Sequence, residues 1–291
     1  MERVAVVAHQ RKSLGRGLPD LRRQLVDAGV EDPLWFEVTK SKKAPKRVRE
    51  AVQKGAELVL VWGGDGMVQR SIDVLAGQDV TVGILPAGTA NLLATNLGIP
   101  HDLDEALRVA LSGRNRRLDV GTVEGEHFAV MAGVGFDARM IGGADRSSKD
   151  KLGRLAYVRS GVSAMRASAV KLRIKVDGNP WFKGKATCVL VANVPAVSGG
   201  LEVFPDAEPD DGILDVGLVT ARGSVQWLRV LSRVARKEPE QSPFVRTTKA
   251  HKVDVRLDRK TLYELDGGSR SKVTKLRFRI KPGAITVRVP A

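Results

Sequence analysis

The chain predicts an α/β N-terminal domain with a parallel sheet, followed by a C-terminal antiparallel β-sandwich domain. Three observations carry this prediction. The 291 residues are about twice the length of a common single domain. The first 120 residues alternate continuous apolar runs with amphipathic segments. The second half instead alternates single apolar and polar residues. A continuous run reads as a strand buried on both faces, and a strict period of two as a strand with one buried and one wet face.

In the first half, apolar runs at 3–8, 34–38, 57–62 and 80–85 are the expected strands. Segments near 18–29, 44–55, 67–77 and 102–112 are the expected helices. Strands separated by helices form a parallel sheet, and such sheets take ligands at the C-terminal ends of their strands. The Lys/Arg run in 39–49 leads into one of these helices. The boundary between the halves falls near residues 121–125, dividing the chain into 1–121 and 122–291. Beyond it, Leu172, Ile174 and Val176 alternate with Lys171, Arg173 and Lys175. Val253, Val255 and Leu257 follow the same rule. Leu276, Phe278 and Ile280 alternate with Lys275, Arg277 and Arg279, and Ile285, Val287 and Val289 with Thr286 and Arg288. A helix is expected over 224–237, with Ser224 as its N-cap. Trp227, Leu228, Leu231 and Val234 form its apolar side, and Arg229, Arg233 and Arg236 its other side. A second amphipathic segment is expected over 152–165.

Composition narrows the function classes. Hydrophobic residues make up 43%, enough for packed cores and against wholesale disorder. A single cysteine excludes an intramolecular disulfide and a cysteine-cluster metal site. His9, His101, His127 and His251 are scattered without ligand spacing. No apolar run approaches the ~20 residues of a membrane span. The N-terminus reads as a first strand rather than a signal peptide, so a soluble, cytoplasmic protein is expected. The formal net charge of +15 points to a polyanionic partner: nucleic acid, nucleotide or anionic membrane. Its distribution is uneven. Residues 56–138 carry a net −6, whereas 139–185 carry +9 and 245–281 carry +8. Aromatics are only 4% of the chain and interleave with no basic segment, so nucleic acid is not the expected partner.

The strand at 57–62 runs into Gly63-Gly64-Asp65-Gly66-Met67 and then into a helix. Glycines let the backbone turn tightly and approach a ligand. The helix N-terminus that follows offers N–H groups and positive dipole character to an anion. Together they outline a phosphate cradle. Asp65 inside it should repel phosphate; it fits either by orienting an amide or by holding phosphates through Mg²⁺. A strand-to-helix turn without a ligand has the same local pattern. A second loop, Leu85-Pro86-Ala87-Gly88-Thr89-Ala90-Asn91-Leu92, leaves the next strand in the same way. Thr89 and Asn91 can donate to phosphate or to an adenine edge, or cap the helix. Two such loops at adjacent strand ends face one crevice, which favours ligand binding.

With further segments in the same order, these loops resemble the catalytic domain of the diacylglycerol kinase and sphingosine kinase family, whose fold is NAD kinase-like. Residues 63–67 resemble its Gly-Gly-Asp-Gly-Thr, and 86–91 its Pro-x-Gly-Thr-x-Asn. Residues 118–121 resemble its Asp-x-Gly strand, and 133–138 its Gly-Phe-Asp-Ala segment. Residues 199–216 resemble its Asp-Gly-x-Leu hairpin, and 264–267 its late Asp-Gly. The resemblance implies two domains with ATP between them. It also implies transfer of the γ-phosphoryl group to a hydroxyl of a diacylglycerol-like or sphingoid-like lipid. By the same resemblance, Asp65 and Asp119 belong to a nucleotide and Mg²⁺ network. Gly63, Gly64, Gly66, Met67, Gly88, Thr89 and Asn91 are the implied nucleotide contacts. Asp266 is the implied general base. Asp211, the Ile213 carbonyl and Glu208 match a structural metal site. Read from the residues alone, Asp266 before Gly267 is first a turn aspartate, and Asp210-Asp211-Gly212 is an ordinary hairpin turn as readily as a metal site.

The chain departs from the family pattern at four places. Met67 stands for Thr, Leu92 for the Asp of the diacylglycerol type, and Gly268 for a Glu after the late Asp-Gly. The early Asn-Pro-x-Ser-Gly loop is not recognisable in residues 8–15. The expected partners are ATP and a lipid at an anionic membrane surface, with no nucleic acid and a homodimer left open. The expected localisation is cytoplasmic and peripherally membrane-associated. Two readings compete: a soluble-substrate kinase such as an NAD kinase, and a nucleotide- or lipid-binding member with weakened catalysis.

Overall fold

The computed structural model describes residues 2–135, 169–197 and 201–291. The chain divides into two compact units, Met1–Val120 with Pro282–Ala291, and Gly121–Lys281. The amphipathic segment expected over 152–165, and residues 136–138 and 199–200 of the resembled motifs, lie outside the described residues.

In the first unit, β1 (Val4–His9), β2 (Leu34–Val38), β3 (Leu58–Gly63) and β4 (Thr81–Pro86) alternate with helices. These are α1 (Leu18–Asp27), α2 (Ala44–Gln53), α3 (Asp65–Leu75), α4 (Leu92–Asn96) and α5 (Leu103–Ser112). The strands are parallel in the order β2-β1-β3-β4. Every residue of β3 and β4 is buried, as their continuous apolar runs require. Leu58 lies beside Thr81 and Gly63 beside Pro86. That register brings the C-terminal ends of β3 and β4, and the loops leaving them, side by side.

The expected division into 1–121 and 122–291 is corrected at its end. Residues 282–291 return to the first unit, where Thr286 and Val287 pair in parallel with Thr81 and Val82 of β4. Ile285, Val287 and Val289 are buried, as their alternation requires. A period of two shows which residues share a face, not which sheet receives them. The region 121–125 lies in a hairpin. β5 (Arg114–Val123) runs through Gly121 and turns back into β6 (Glu126–Phe128). The turn is Glu124-Gly125, with φ of 49° and 83°, the signature of a two-residue hairpin. Gly121 faces Phe128 across the hairpin, and a Cβ there would overlap the Phe128 ring.

The second unit continues with β7 (Met131–Val134), β8 (Val170–Val176), β9 (Asn179–Ala186) and β10 (Cys188–Ala192). The short pair β11 (Ala196–Val197) and β12 (Leu201–Glu202) precedes β13 (Leu214–Val219) and the helix α6 (Gly223–Val234). β14 (Val245–Ala250), β15 (Lys252–Leu265) and β16 (Gly268–Val289) complete it. One antiparallel run is β14-β13-β10-β7-β15, and another is β9-β8-β15-β16. β15 belongs to both. Residues 253–257 pair with β8 and 263–265 with β7. An irregularity between Arg256 and Thr261 bends the strand from one run to the other. The two runs enclose one core that includes Leu172, Ile174, Val191, Val216, Val255 and Phe278. Phe128 meets Phe278 edge-on, with centroids 6.3 Å apart. Each fully buried side chain of this kind contributes roughly 1.5–3 kcal/mol.

Helix α6 differs from expectation. It begins at Gly223, with Arg222 in the cap position and no side-chain cap. Trp227, Val230 and Val234 are buried, whereas Leu228 is 65% exposed. The two apolar arcs adjoin on the helix, and only packing selects between them. Among the described residues, no helix is long and apolar enough to cross a membrane.

Candidate active site

The two glycine loops are built where the fold places ligands in parallel sheets. Gly64 is the N-cap of α3, so the helix starts at Asp65, two residues before the expected start. Gly66 and Met67 therefore lie in its first turn. At their closest the loops meet glycine to glycine: a Cβ on Gly88 would sit 2.3 Å from the Gly64 Cα. No larger residue permits that approach at Gly88.

Asp65 locks the loops together. Its Oδ2 accepts the Asn91 N–H at 3.0 Å and its Oδ1 accepts the Leu92 N–H. Of the two roles open to this carboxylate, the structure displays the amide-orienting one, at the start of α4. Burial pushes the Asp65 carboxyl above its usual range, and the N–H groups of Leu92 and Asn91 oppose that shift. Asn91 is held in the left-handed region, with φ of 49°. Its Oδ1 accepts the Gly88 N–H at 2.9 Å, and its Nδ2 donates to the carbonyls of Pro86 and Gly88, both at 3.0 Å. Asn91 thus shapes the loop, and its side chain does not cap α4. Thr89 is exposed at the loop tip.

Two further site residues are buried. The Met67 side chain is buried, because the early helix start turns it inward over Gly63. Asp119 is buried and its Oδ1 accepts the Gly283 N–H at 2.6 Å. Arg117 Nη2 donates to the Gly283 carbonyl at 2.8 Å. Asp119 therefore fastens the returning C-terminal segment to β5.

Asp266 and Gly267 form the two-residue turn between β15 and β16, with φ of 43° and 75°. The Asp266 carboxylate accepts three backbone N–H bonds, from Ala129 (3.0 Å), Val130 (3.0 Å) and Met131 (2.9 Å). Its own N–H donates to the Met131 carbonyl at 2.9 Å. Asn193 grips the same segment from the other side, through N–H to the Val130 carbonyl at 2.9 Å. Gly268 lies beneath Arg270, whose Nη1 donates to its carbonyl at 3.1 Å. Arg270 Nε also bonds both oxygens of Glu126, at 2.7 and 2.9 Å. Glu126, on β6, is thus held next to the strand that leaves the turn. Sequence reasoning missed Glu126, Arg270, Asn193 and the 129–131 amides. These are contacts across 60 residues or more, and no local pattern announces them.

The expected metal site holds a different cation. Asp211 Oδ1 accepts the Ile213 N–H at 3.0 Å, and Asp211 Oδ2 lies 3.3 Å from Lys249 Nζ. Lys249 also donates to the Asp206 carbonyl at 3.1 Å and approaches Asp215 Oδ1 at 3.9 Å. Glu208 is exposed. Among the described residues, no three carboxylates, histidines or cysteines come together as metal ligands. The arrangement fits an ammonium and not a resident Mg²⁺, so no chemical step is derived through a protein-held metal. Burial pushes the Asp215 carboxyl up to about 6, with the Lys249 charge pulling the other way. Lys249 loses some solvation, yet Asp215 and Asp211 hold its pKa above the usual value. Lys249→Met is expected to cost on the order of 1–2 kcal/mol, because it leaves buried carboxylate uncompensated while the ammonium itself is partly solvated. Calorimetric melting checks this. Wild type should melt at the same temperature with and without chelator; a chelator-induced drop in wild type would mean that a metal, not Lys249, holds the hairpin.

Residues 8–123 match the family model "Diacylglycerol kinase catalytic domain". Residues 129–289 match "YegS C-terminal NAD kinase beta sandwich-like domain". A Klebsiella pneumoniae protein named "Probable lipid kinase YegS-like" is 31% identical over 285 residues, covering 95% of this chain and 93% of that one. A Bacillus subtilis protein named "Diacylglycerol kinase" is 30% identical over 228 residues, covering 77% and 75%. A solved diacylglycerol kinase structure from Bacillus anthracis superposes with a TM-score of 0.78 at 23% identity, covering 99% of this chain and 97% of that one. The ordered glycine loops, the late Asp-Gly turn and these matches over both units agree: the chain belongs to the diacylglycerol kinase/YegS-like lipid kinase family.

Proposed function

We propose that this protein is an ATP-dependent lipid kinase that transfers the γ-phosphoryl group to a hydroxyl of a diacylglycerol-like or sphingoid-like lipid at a membrane surface. One observation carries the reading: two glycine loops at adjacent strand ends, locked together by Asp65. Phosphoryl transfer depends mainly on positioning phosphates and stabilising their charge. Gly64 lets backbone approach the phosphates closely, and the start of α3 presents N–H groups and the positive end of its dipole. The Thr89 hydroxyl is a further donor. Mg²⁺ accompanies the phosphates of ATP in such reactions, and its ligands here are left to the nucleotide.

Asp266 is the proposed base. The N–H groups of Ala129, Val130 and Met131 hold its carboxylate in place. An oxygen lone pair not used by them can take the proton of an acceptor hydroxyl as its oxygen attacks the γ-phosphorus and ADP leaves. The names of the relatives favour a lipid acceptor over NAD. The test is a panel assay with labelled ATP, Mg²⁺, diacylglycerol, monoacylglycerol, sphingosine and NAD. Labelled lipid is the expected product. Label in NAD alone, or ATP binding by calorimetry without turnover on any acceptor, would overturn the reading.

A further inference from the structure

The solvent face of β9-β8-β15-β16 carries an unusual row of charge. Lys183 lies directly opposite Arg173, Arg173 opposite Arg256, and Arg256 opposite Lys275. Four basic side chains therefore form one line across four adjacent strands, about 14 Å long at ~4.8 Å per strand. Neighbouring rows repeat the pattern. Lys171 faces Lys185, and Lys252 faces Arg279. Lys175 and Arg277 flank Asp254, which pairs with Arg279 at 3.0 Å, and Asp177 adjoins Lys252 at the end of the face. The opposite face of the same strands is core: Leu172, Ile174, Val255, Leu276 and Phe278 are buried.

Like charges directly opposite one another destabilise a sheet, so folding alone does not favour this row. Solubility is served better by mixed signs, as on α2, where Lys46 and Arg47 pair with Glu50. Protection of a free sheet edge would explain lysines on β9, but β8 and β15 are interior strands with partners on both sides.

We infer that this four-strand face is the surface that docks the protein on an anionic lipid bilayer. The inference deepens the lipid-kinase reading and rests on it for the choice of a membrane. Charge complementarity identifies the occupant. The basic rows are spread over a sheet face and not along a groove, and they contain no aromatic side chain on which a base could stack. Trp181 and Phe182 of β9 pack instead against the core. An array of lysines and arginines on a sheet face matches a plane of anionic headgroups.

The test uses the full chain and the double variant Arg173→Glu/Lys275→Glu. The two acids fall on either side of Arg256, and one of them beside Lys183, so the row alternates in sign and its melting temperature should not fall. Co-sedimentation with phosphatidylglycerol–phosphatidylcholine vesicles should weaken about 25-fold or more, since each of the two basic residues lost contributes roughly one factor of five near an anionic leaflet. A control with the same charge change elsewhere, Lys54→Glu/Arg108→Glu, should bind nearly as wild type. Equal loss in the control would overturn the inference, as would unchanged binding in the row variant. Tighter salt-sensitive binding of wild type to duplex DNA than to these vesicles would overturn it too. Turnover of a short-chain, water-soluble diacylglycerol should match wild type in the row variant. Absence of that turnover in wild type would count against the kinase reading alone, because vesicle binding is measured without it.

Discussion

Asp266→Asn is expected to lower kcat for phosphoryl transfer by about 10²- to 10⁴-fold, the usual contribution of a positioned base, while the affinity for ATP stays unchanged. Asparagine tolerates the left-handed backbone that the turn requires, so the hairpin should still close. Its NH₂ group, however, cannot accept. At least one of the three N–H bonds from Ala129, Val130 and Met131 must then be lost inside the protein. The cost of a buried unsatisfied amide is about 1–3 kcal/mol, and the melting temperature should drop by several degrees. Single-turnover kinetics and calorimetry separate the two effects. A variant that melts lower yet keeps its kcat within a few-fold would reduce Asp266 to a structural staple.

The structure offers an internal comparison for that outcome. Asp177-Gly178, at φ of 47° and 87°, is the same turn between β8 and β9. The Asp177 carboxylate likewise accepts backbone N–H bonds, from His251 (3.1 Å) and Lys252 (2.8 Å). Amide bonding alone therefore does not mark a base. The difference is environment: Asp177 is exposed at its turn, whereas Asp266 is buried and grips a segment that Asn193 also holds.

Gly88→Ala should abolish measurable ATP binding and reduce kinase activity by at least a hundredfold. The added methyl would lie 2.3 Å from the Gly64 Cα and 2.4 Å from Asn91 Oδ1. Backbone on one side and a hydrogen-bonded amide on the other leave no room, so the loops must part. Overpacking of this kind costs about 1–3 kcal/mol, and it displaces the phosphate cradle itself. Titration calorimetry with ATP checks the result. Unchanged affinity would show that the nucleotide does not use the Gly64–Gly88 contact.

Much of the fold was legible because burial leaves a period in the chain. The apolar runs that became β1, β3 and β4 differ from the observed strands by a residue or two at their ends. The alternation at 172–176, 253–257 and 276–280 correctly marked which side chains face the core. Both glycine loops were recognisable, since tight turns at strand ends need small residues whatever surrounds them.

By itself, then, the sequence determined the four strands of the parallel sheet, the alternating strands and the faces they bury, the two loops and the family. Only the tertiary structure decided where those faces go and what the polar groups meet. It sent residues 282–291 back to the parallel sheet, turned Leu228 outward and Met67 inward, and set Lys249 among Asp206, Asp211 and Asp215. It aligned Lys183, Arg173, Arg256 and Lys275 into one row. The reason is physical: periodicity is local, whereas strand register and side-chain pairing join residues tens to hundreds of positions apart and are selected by packing.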